Sequence, residues 1–130
     1  MATVSIILPA RNEALNLEHL LPALRAAQPQ AEIIVVDDGS SDHTVALCAS
    51  AGVRCISHPY SMGNGAAIKT GARNAKHDIL MFMDADGQHD PTVIQSLLDK
   101  LDEGYEMAVG ARTWGSHASW HRRAANYLYN

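Results

Sequence analysis

The chain has 130 residues, 47% of them hydrophobic and 18% charged, with a formal net charge of -4. That length fits one compact domain, and the apolar share is enough to fill its core, which argues against intrinsic disorder. The acidic balance argues against general nucleic-acid binding, and no run approaches the roughly 20 apolar residues of a membrane-spanning helix.

The Met1 end has neither the basic flank nor the apolar core of a signal peptide, so a cytoplasmic location is the expectation. Charge is unevenly spread: residues 1–111 hold all 14 acidic residues and 7 of the 10 basic ones, whereas residues 112–130 add Arg112, Arg122 and Arg123 and no acid. Cys48 and Cys55 lie in apolar surroundings without Cys or His at metal-ligand spacing, and they read as reduced core residues.

In chain order, residues 4–8 form a first apolar, β-branched run, followed by Pro9-Ala10-Arg11-Asn12-Glu13 and by Leu17, Leu20, Leu21 and Leu24 at helical spacing. Residues 33–36 give a second strand, and Asp37-Asp38-Gly39-Ser40-Ser41-Asp42 comes after it. Ser41 or Asp42 can cap the next helix, which holds residues 45–49 and stops at Gly52. A third strand at 53–57 leads through Gly63-Asn64-Gly65 to a helix over 66–75. A fourth strand at 79–83 is followed by Asp84-Ala85-Asp86-Gly87-Gln88-His89-Asp90. Asp90 with Pro91 makes a cap and first-turn proline for a helix with Val93, Ile94, Leu97, Leu98 and Leu101, closed by Gly104. A fifth strand is expected at 107–109, then Gly110-Ala111-Arg112, a polar loop over 113–119 and a basic helix over 120–130.

Alternation of strand and helix, with near-continuous apolar strands, predicts an α/β fold: a mostly parallel sheet with helices on both faces. Ligands in such folds bind beyond the carboxyl ends of the strands, where this chain places carboxylates or a guanidinium after four strands of five. Asp84 and Asp86 carry the sharpest signal. Two carboxylates one residue apart at a strand end can present oxygens to Mg²⁺ or Mn²⁺, with Gln88 as a neutral oxygen donor, and a hard cation so held accepts phosphate oxygens as well. An isolated D-x-D is equally a solvated acidic turn. Asp37-Asp38 and Glu13 have the same double reading, as turn and helix-start acids or as acceptors for a base or a ribose. Gly63-Asn64-Gly65 with Lys69 is not a phosphate loop: G-x-x-x-x-G-K-[ST] is missing, and Ile68 occupies the last position of a G-x-G-x-x-G pattern. It reads as a tight helix start, whose N-terminus can lie beside phosphate. His43, His58 and His89 read as capping or surface residues, and Trp114 and Trp120 as packing residues or contacts to an apolar acceptor.

Together the segments 4–13, 33–42, 63–71 and 83–91 resemble family 2 glycosyltransferases, in the dolichyl-phosphate mannose synthase-like branch of polyprenyl-phosphate glycosyltransferases. The four motifs stand in order from about Ala2 to the last residues. The resemblance implies the GT-A fold, Rossmann-like, and one donor-binding domain over 1–130, with 112–130 the start of an acceptor loop and helix. Family members continue into an acceptor-binding half and commonly a membrane-associated tail, so the chain reads as truncated, with the whole protein at the cytoplasmic face of a membrane. By motif position, Pro9, Arg11, Glu13, Val36 and Asp38 line the pocket of a nucleotide-diphosphate sugar, either GDP-mannose or a UDP-sugar. Asp84, Asp86 and Gln88 hold Mg²⁺ or Mn²⁺, and Ala85 lies against the donor. Arg112 and Arg122 face phosphate in the acceptor, a polyprenyl phosphate; Arg123 competes with Arg122 for that position. Three residues depart from the family's pattern, which often has Tyr at Arg11, Asn at Ser61 and Lys at Asn64.

The implied reaction is an inverting, metal-dependent sugar transfer in which Asp86, Arg112 and Arg122 are the catalytic residues. A lipid phosphate is already anionic at neutral pH and needs no strong general base, whereas a sugar hydroxyl acceptor would need one. Two other classes compete. One is a nucleotide-sugar-binding module without turnover; the other is a phosphoacceptor domain, against which Arg112 counts, because such chemistry wants a Lys beside the phosphate at the last strand.

Overall fold

The computed structural model describes residues 3–86 and 90–110. Two compact units appear, Met1–Pro91 and Thr92–Asn130. The first contains four strands, β1 (Val4–Ala10), β2 (Glu32–Asp37), β3 (Arg54–Ser57) and β4 (Ile79–Phe82), joined by three helices, α1 (Ala14–Ala27), α2 (Thr44–Ala51) and α3 (Asn64–Asn74). All pairings are parallel, in the order β3-β2-β1-β4, with Ile7 opposite Ile34 and Phe82, and Val35 opposite Cys55.

Side chains alternate across a strand, so each central strand serves two cores. Ile7, Ile34 and Val36 point to one face and pack with Ala67 of α3. This packing is close: a Cβ on Gly71 would lie 2.3 Å from Cγ2 of Ile7, so only glycine lets α3 approach β1 there. Ile6, Leu8, Ile33 and Val35 take the opposite face and are fully or almost fully buried, as are Leu17, Leu21 and Leu24 of α1 and Cys48 of α2. The α1 stripe has the spacing expected of an amphipathic helix. Pro22 sits within α1 on its exposed side. α2 ends on Gly52 at φ 68°, whose N–H reaches the carbonyls of Cys48 and Ala49, as the sequence predicts.

The edge strands differ from expectation. β3 and β4 are only partly buried, and Phe82 is 46% exposed, because each has a partner on one side alone among the described residues. The second unit begins in a 3-10 turn (Pro91–Val93) that runs into α4 (Ile94–Asp102), with Ile94 and Leu98 buried. Gly104, at φ 104°, follows the helix and donates to the Leu101 carbonyl. Residues 107–109 form no strand; Met107 makes only an isolated bridge. No helix among the described residues is long and apolar enough to cross a membrane.

Candidate functional site

Three strands of the first unit hand their ladder on to the loops at the carboxyl end. Asp38 N–H donates to the Ala10 carbonyl (2.8 Å), His58 N–H to the Asp37 carbonyl (2.8 Å) and Met83 N–H to the Ile7 carbonyl (3.1 Å). Backbone order therefore extends into the rim that carries the polar residues, where parallel sheets bind ligands.

The β1–α1 and β2–α2 turns are tied by Asn12. Its φ of 54° is left-handed, a conformation Asn tolerates better than other side chains. Its Oδ1 accepts from Ser41 N–H (2.8 Å), Asp42 N–H (3.2 Å) and the Ser41 hydroxyl (3.3 Å), and its own N–H donates to Ser40 Oγ (2.9 Å). Asp42 answers from the other side, accepting from Ala14 N–H at the start of α1 (3.2 Å) and from Thr44 N–H (3.0 Å) and the Thr44 hydroxyl at the start of α2. Those bonds, the Thr44 hydroxyl first, hold the Asp42 carboxyl below its ordinary value. Of the two sequence candidates for capping α2, Asp42 provides the bond to the first helical N–H.

Asp38 is buried and fully engaged. One carboxylate oxygen accepts from His58 Nδ1 (2.8 Å) and Met62 N–H (2.8 Å), the other from Ser61 Oγ (3.0 Å) and Gly63 N–H (3.0 Å). Burial alone would raise its pKa, but these four donors outweigh that effect and hold the carboxyl far below the usual range. His58 must carry its proton on Nδ1 to make this bond, and Nε2 then meets Thr70 Oγ1 of α3 at 2.9 Å. His58 is thus a buried link between β2 and α3, whereas the sequence suggests a capping or surface role. Gly63, at φ 98°, precedes α3 and makes the tight helix start expected.

Of the other predicted pocket residues, Pro9 and Val36 are register partners on neighbouring strands. Arg11 is exposed beside Asn12, and Glu13 is half-buried with Oε2 accepting from Asn16 Nδ2 (2.6 Å). Asp37 is buried and accepts from Ser40 N–H (3.0 Å), forming a turn. At the end of β4, Asp84 is exposed, Ala85 buried and Asp86 intermediate. Asp84 stands two residues beyond Phe82, the partner of Ile7, at the same end of the sheet as Pro9. This pair is the candidate metal centre. Among the described residues no group of three or more His, Cys, Asp or Glu is placed to hold a metal. Gln88, Arg112 and Arg122 lie outside the described residues.

The model of the family described as glycosyl transferase family 2 matches residues 5–129. The chain belongs to glycosyl transferase family 2. Among curated relatives, this family 2 chain is 35% identical to an undecaprenyl-phosphate 4-deoxy-4-formamido-L-arabinose transferase of Edwardsiella ictaluri, over 98% of its own length and 42% of the relative's. It therefore spans about two fifths of that protein. Among solved structures it resembles glucosyl-3-phosphoglycerate synthase from Mycobacterium tuberculosis in complex with Mn²⁺, UDP and glucosyl-3-phosphoglycerate. That match has a TM-score of 0.67 and 29% identity and covers 77% of this chain and 39% of the other. A mannosyltransferase from Pyrobaculum calidifontis in complex with GDP-Man and Mn²⁺ matches with a TM-score of 0.59 and 26% identity, over 64% of this chain and 27% of the other. The architecture is GT-A, with the parallel sheet and its helices as expected.

Proposed function

We propose that this family 2 chain is the donor-binding domain of a metal-dependent, inverting glycosyltransferase that moves a sugar from a nucleotide diphosphate to a polyprenyl phosphate. The observation that carries the reading is the Asp84-Ala85-Asp86 turn at the carboxyl end of β4, at the same end of the parallel sheet as the Pro9–Val36 pair of the central strands. Support for the donor comes from the two structural relatives, one a complex with UDP and the other with GDP-Man. Support for the acceptor comes from the Edwardsiella relative, named for undecaprenyl phosphate.

In this reading Pro9, Arg11, Glu13 and Val36 line the nucleotide pocket, and Asp38 belongs to its wall. Asp84, Asp86 and Gln88 hold Mg²⁺ or Mn²⁺; two carboxylates and an amide oxygen are hard donors suited to such ions. The bound cation stabilises the charge that develops on the leaving diphosphate. Ala85, between the two acids in the chain, lies against the donor. Arg112 and Arg122 hold the acceptor phosphate so that its oxygen attacks the anomeric carbon as the bond to the diphosphate breaks on the opposite side, inverting configuration. No proton has to be removed, because the phosphate oxygen is already anionic. The whole protein works at the cytoplasmic face of a membrane, where a polyprenyl phosphate presents its headgroup.

Titration calorimetry of UDP and GDP, with Mn²⁺ and with EDTA, tests the donor site: binding of at least one nucleotide that disappears with EDTA is expected, and metal-independent binding would overturn the metal assignment. Sugar transfer to a polyprenyl phosphate tests the acceptor. Metal-dependent binding without transfer favours a second reading, a nucleotide-sugar-binding module, which rests on the chain spanning 42% of its Edwardsiella relative.

A further inference from the structure

We propose that the 58–63 loop is a preassembled platform for the nucleobase, with Tyr60 as the residue that stacks on it; this rests on the nucleotide-donor reading above. Tyr60 is 66% exposed. Of the described residues that follow the four strands at the rim, in 9–13, 37–43, 58–63 and 84–86, it has the one aromatic ring besides the imidazoles of His43 and His58. An exposed tyrosine on a mobile loop would mean little, but this backbone is fixed on both sides. Before it, His58 is held by its N–H to Asp37 and by its ring between Asp38 and Thr70. After it, Ser61, Met62 and Gly63 all donate to the Asp38 carboxylate. From below, Gly39 comes so close that a Cβ there would lie 3.0 Å from the Tyr60 carbonyl carbon and 2.8 Å from Ser61 N.

The four bonds use all the acceptor positions of Asp38, two on each oxygen, so its carboxylate has none left for a base or a ribose. Asp38 is therefore a positioning residue: it acts on the nucleotide by holding the loop. A ring kept exposed on an ordered backbone has little entropy left to lose on binding, which suits it to stacking, an interaction that any base can accept.

The test uses the whole 130-residue chain and calorimetry in Mn²⁺ with three probes: UDP, GDP and inorganic pyrophosphate, which has no base. Tyr60→Ala is expected to weaken UDP or GDP about tenfold and to leave pyrophosphate unchanged, and Tyr60→Phe to stay within about twofold of the unaltered chain. Asp38→Asn is expected to weaken nucleotide binding in the unaltered background and to do so much less once Tyr60 is alanine, a coupling that a general loss of stability would not produce. Equal nucleotide affinity in Tyr60→Ala, or equal loss of pyrophosphate, overturns the platform while leaving the donor site standing. Failure of the unaltered chain to bind any of the three overturns the donor reading and the platform with it.

Discussion

The two acidic strand ends of the sheet look alike in sequence and differ in their surroundings. Asp37 and Asp38 at the end of β2 are buried, and Asp38 is surrounded by four donors from the loop that follows β3. Asp84 and Asp86 at the end of β4 flank a buried Ala85 and are themselves exposed and intermediate. Position in the sheet explains the contrast. β2 lies between β1 and β3, so neighbouring loops close over its end and supply N–H groups to any carboxylate there. β4 has one partner among the described residues, and Asp84 just beyond it is exposed. A carboxylate at a strand end is thus drawn into the architecture where loops crowd it, as Asp38 is.

Mutation of one acid from each pair should separate the two roles. Asp86→Ala is expected to remove the Mn²⁺ dependence of nucleotide binding altogether while the melting temperature stays within a few degrees. Asp38→Ala leaves the Met62 and Gly63 N–H groups and the His58 ring without their acceptor, and the loss of a buried charged partner costs about 3–5 kcal/mol of stability. Urea unfolding of both variants beside calorimetry checks this; a stable Asp38→Ala or an unfolded Asp86→Ala would reverse the assignment.

Protons should break the same comparison. The folded Asp38 carboxyl is held below its ordinary value, so the folded state binds a proton less readily than the unfolded chain does. Its contribution is fully present above the unfolded carboxyl value of about 3.9 and is lost as pH falls through the folded one. Urea midpoints measured from pH 7 downward should decline in acid, and the decline should be shallower in Asp38→Asn, which has no such proton to bind. Asp42 and Glu32, whose carboxyls are also lowered, keep some acid sensitivity in that variant. For Glu32, burial works the other way but is outweighed by hydrogen bonds from Lys76 N–H and the Ser5 hydroxyl.

A smaller effect is expected at Gly39, where the loop above β2 comes nearest. Gly39→Ala puts a Cβ into a backbone contact of 2.8 Å at φ 77°, and the combined clash and left-handed strain should cost about 2 kcal/mol. Thermal unfolding reads this directly, and a neutral result would mean that the 58–63 loop can move away from the turn.

The strands and helices of the first unit were legible because their signals are local. The apolar runs of β1 and β2 are buried on both faces, the leucines of α1 repeat at helical spacing, and Gly52 stops α2 where a left-handed residue is needed. Met81-Phe82-Met83 has the composition of a buried strand, yet β4 is only partly buried, because composition does not say which strand forms an edge. Residues 107–109 have strand composition but too short a run to make more than a bridge. The site divides in the same way. Asp84 and Asp86 stand out as candidates from spacing, whereas the use made of Asp38 does not, since its donors lie 20 to 25 residues away. His58 left only one sign in the sequence, its position after the third strand and so at the common rim.

Asn12 offers the finest division, because one residue combines a conformational role and a bonding role. Its left-handed φ suits glycine at no steric cost, so Asn12→Gly keeps the turn and removes only the bonds to Ser41 and Asp42. Asn12→Ala removes those bonds and keeps a Cβ at a left-handed φ without the amide that compensates for the strain, a further cost of about 1 kcal/mol relative to glycine. The expected order of melting temperature is therefore unaltered chain, then Asn12→Gly, then Asn12→Ala, with both variants less damaged than Asp38→Ala. If alanine and glycine are equivalent, the side-chain bonds alone hold the two turns together. If glycine equals the unaltered chain, the turn geometry does, and the side chain of Asn12 then contributes nothing to aligning the rim on which Arg11 and Glu13 stand.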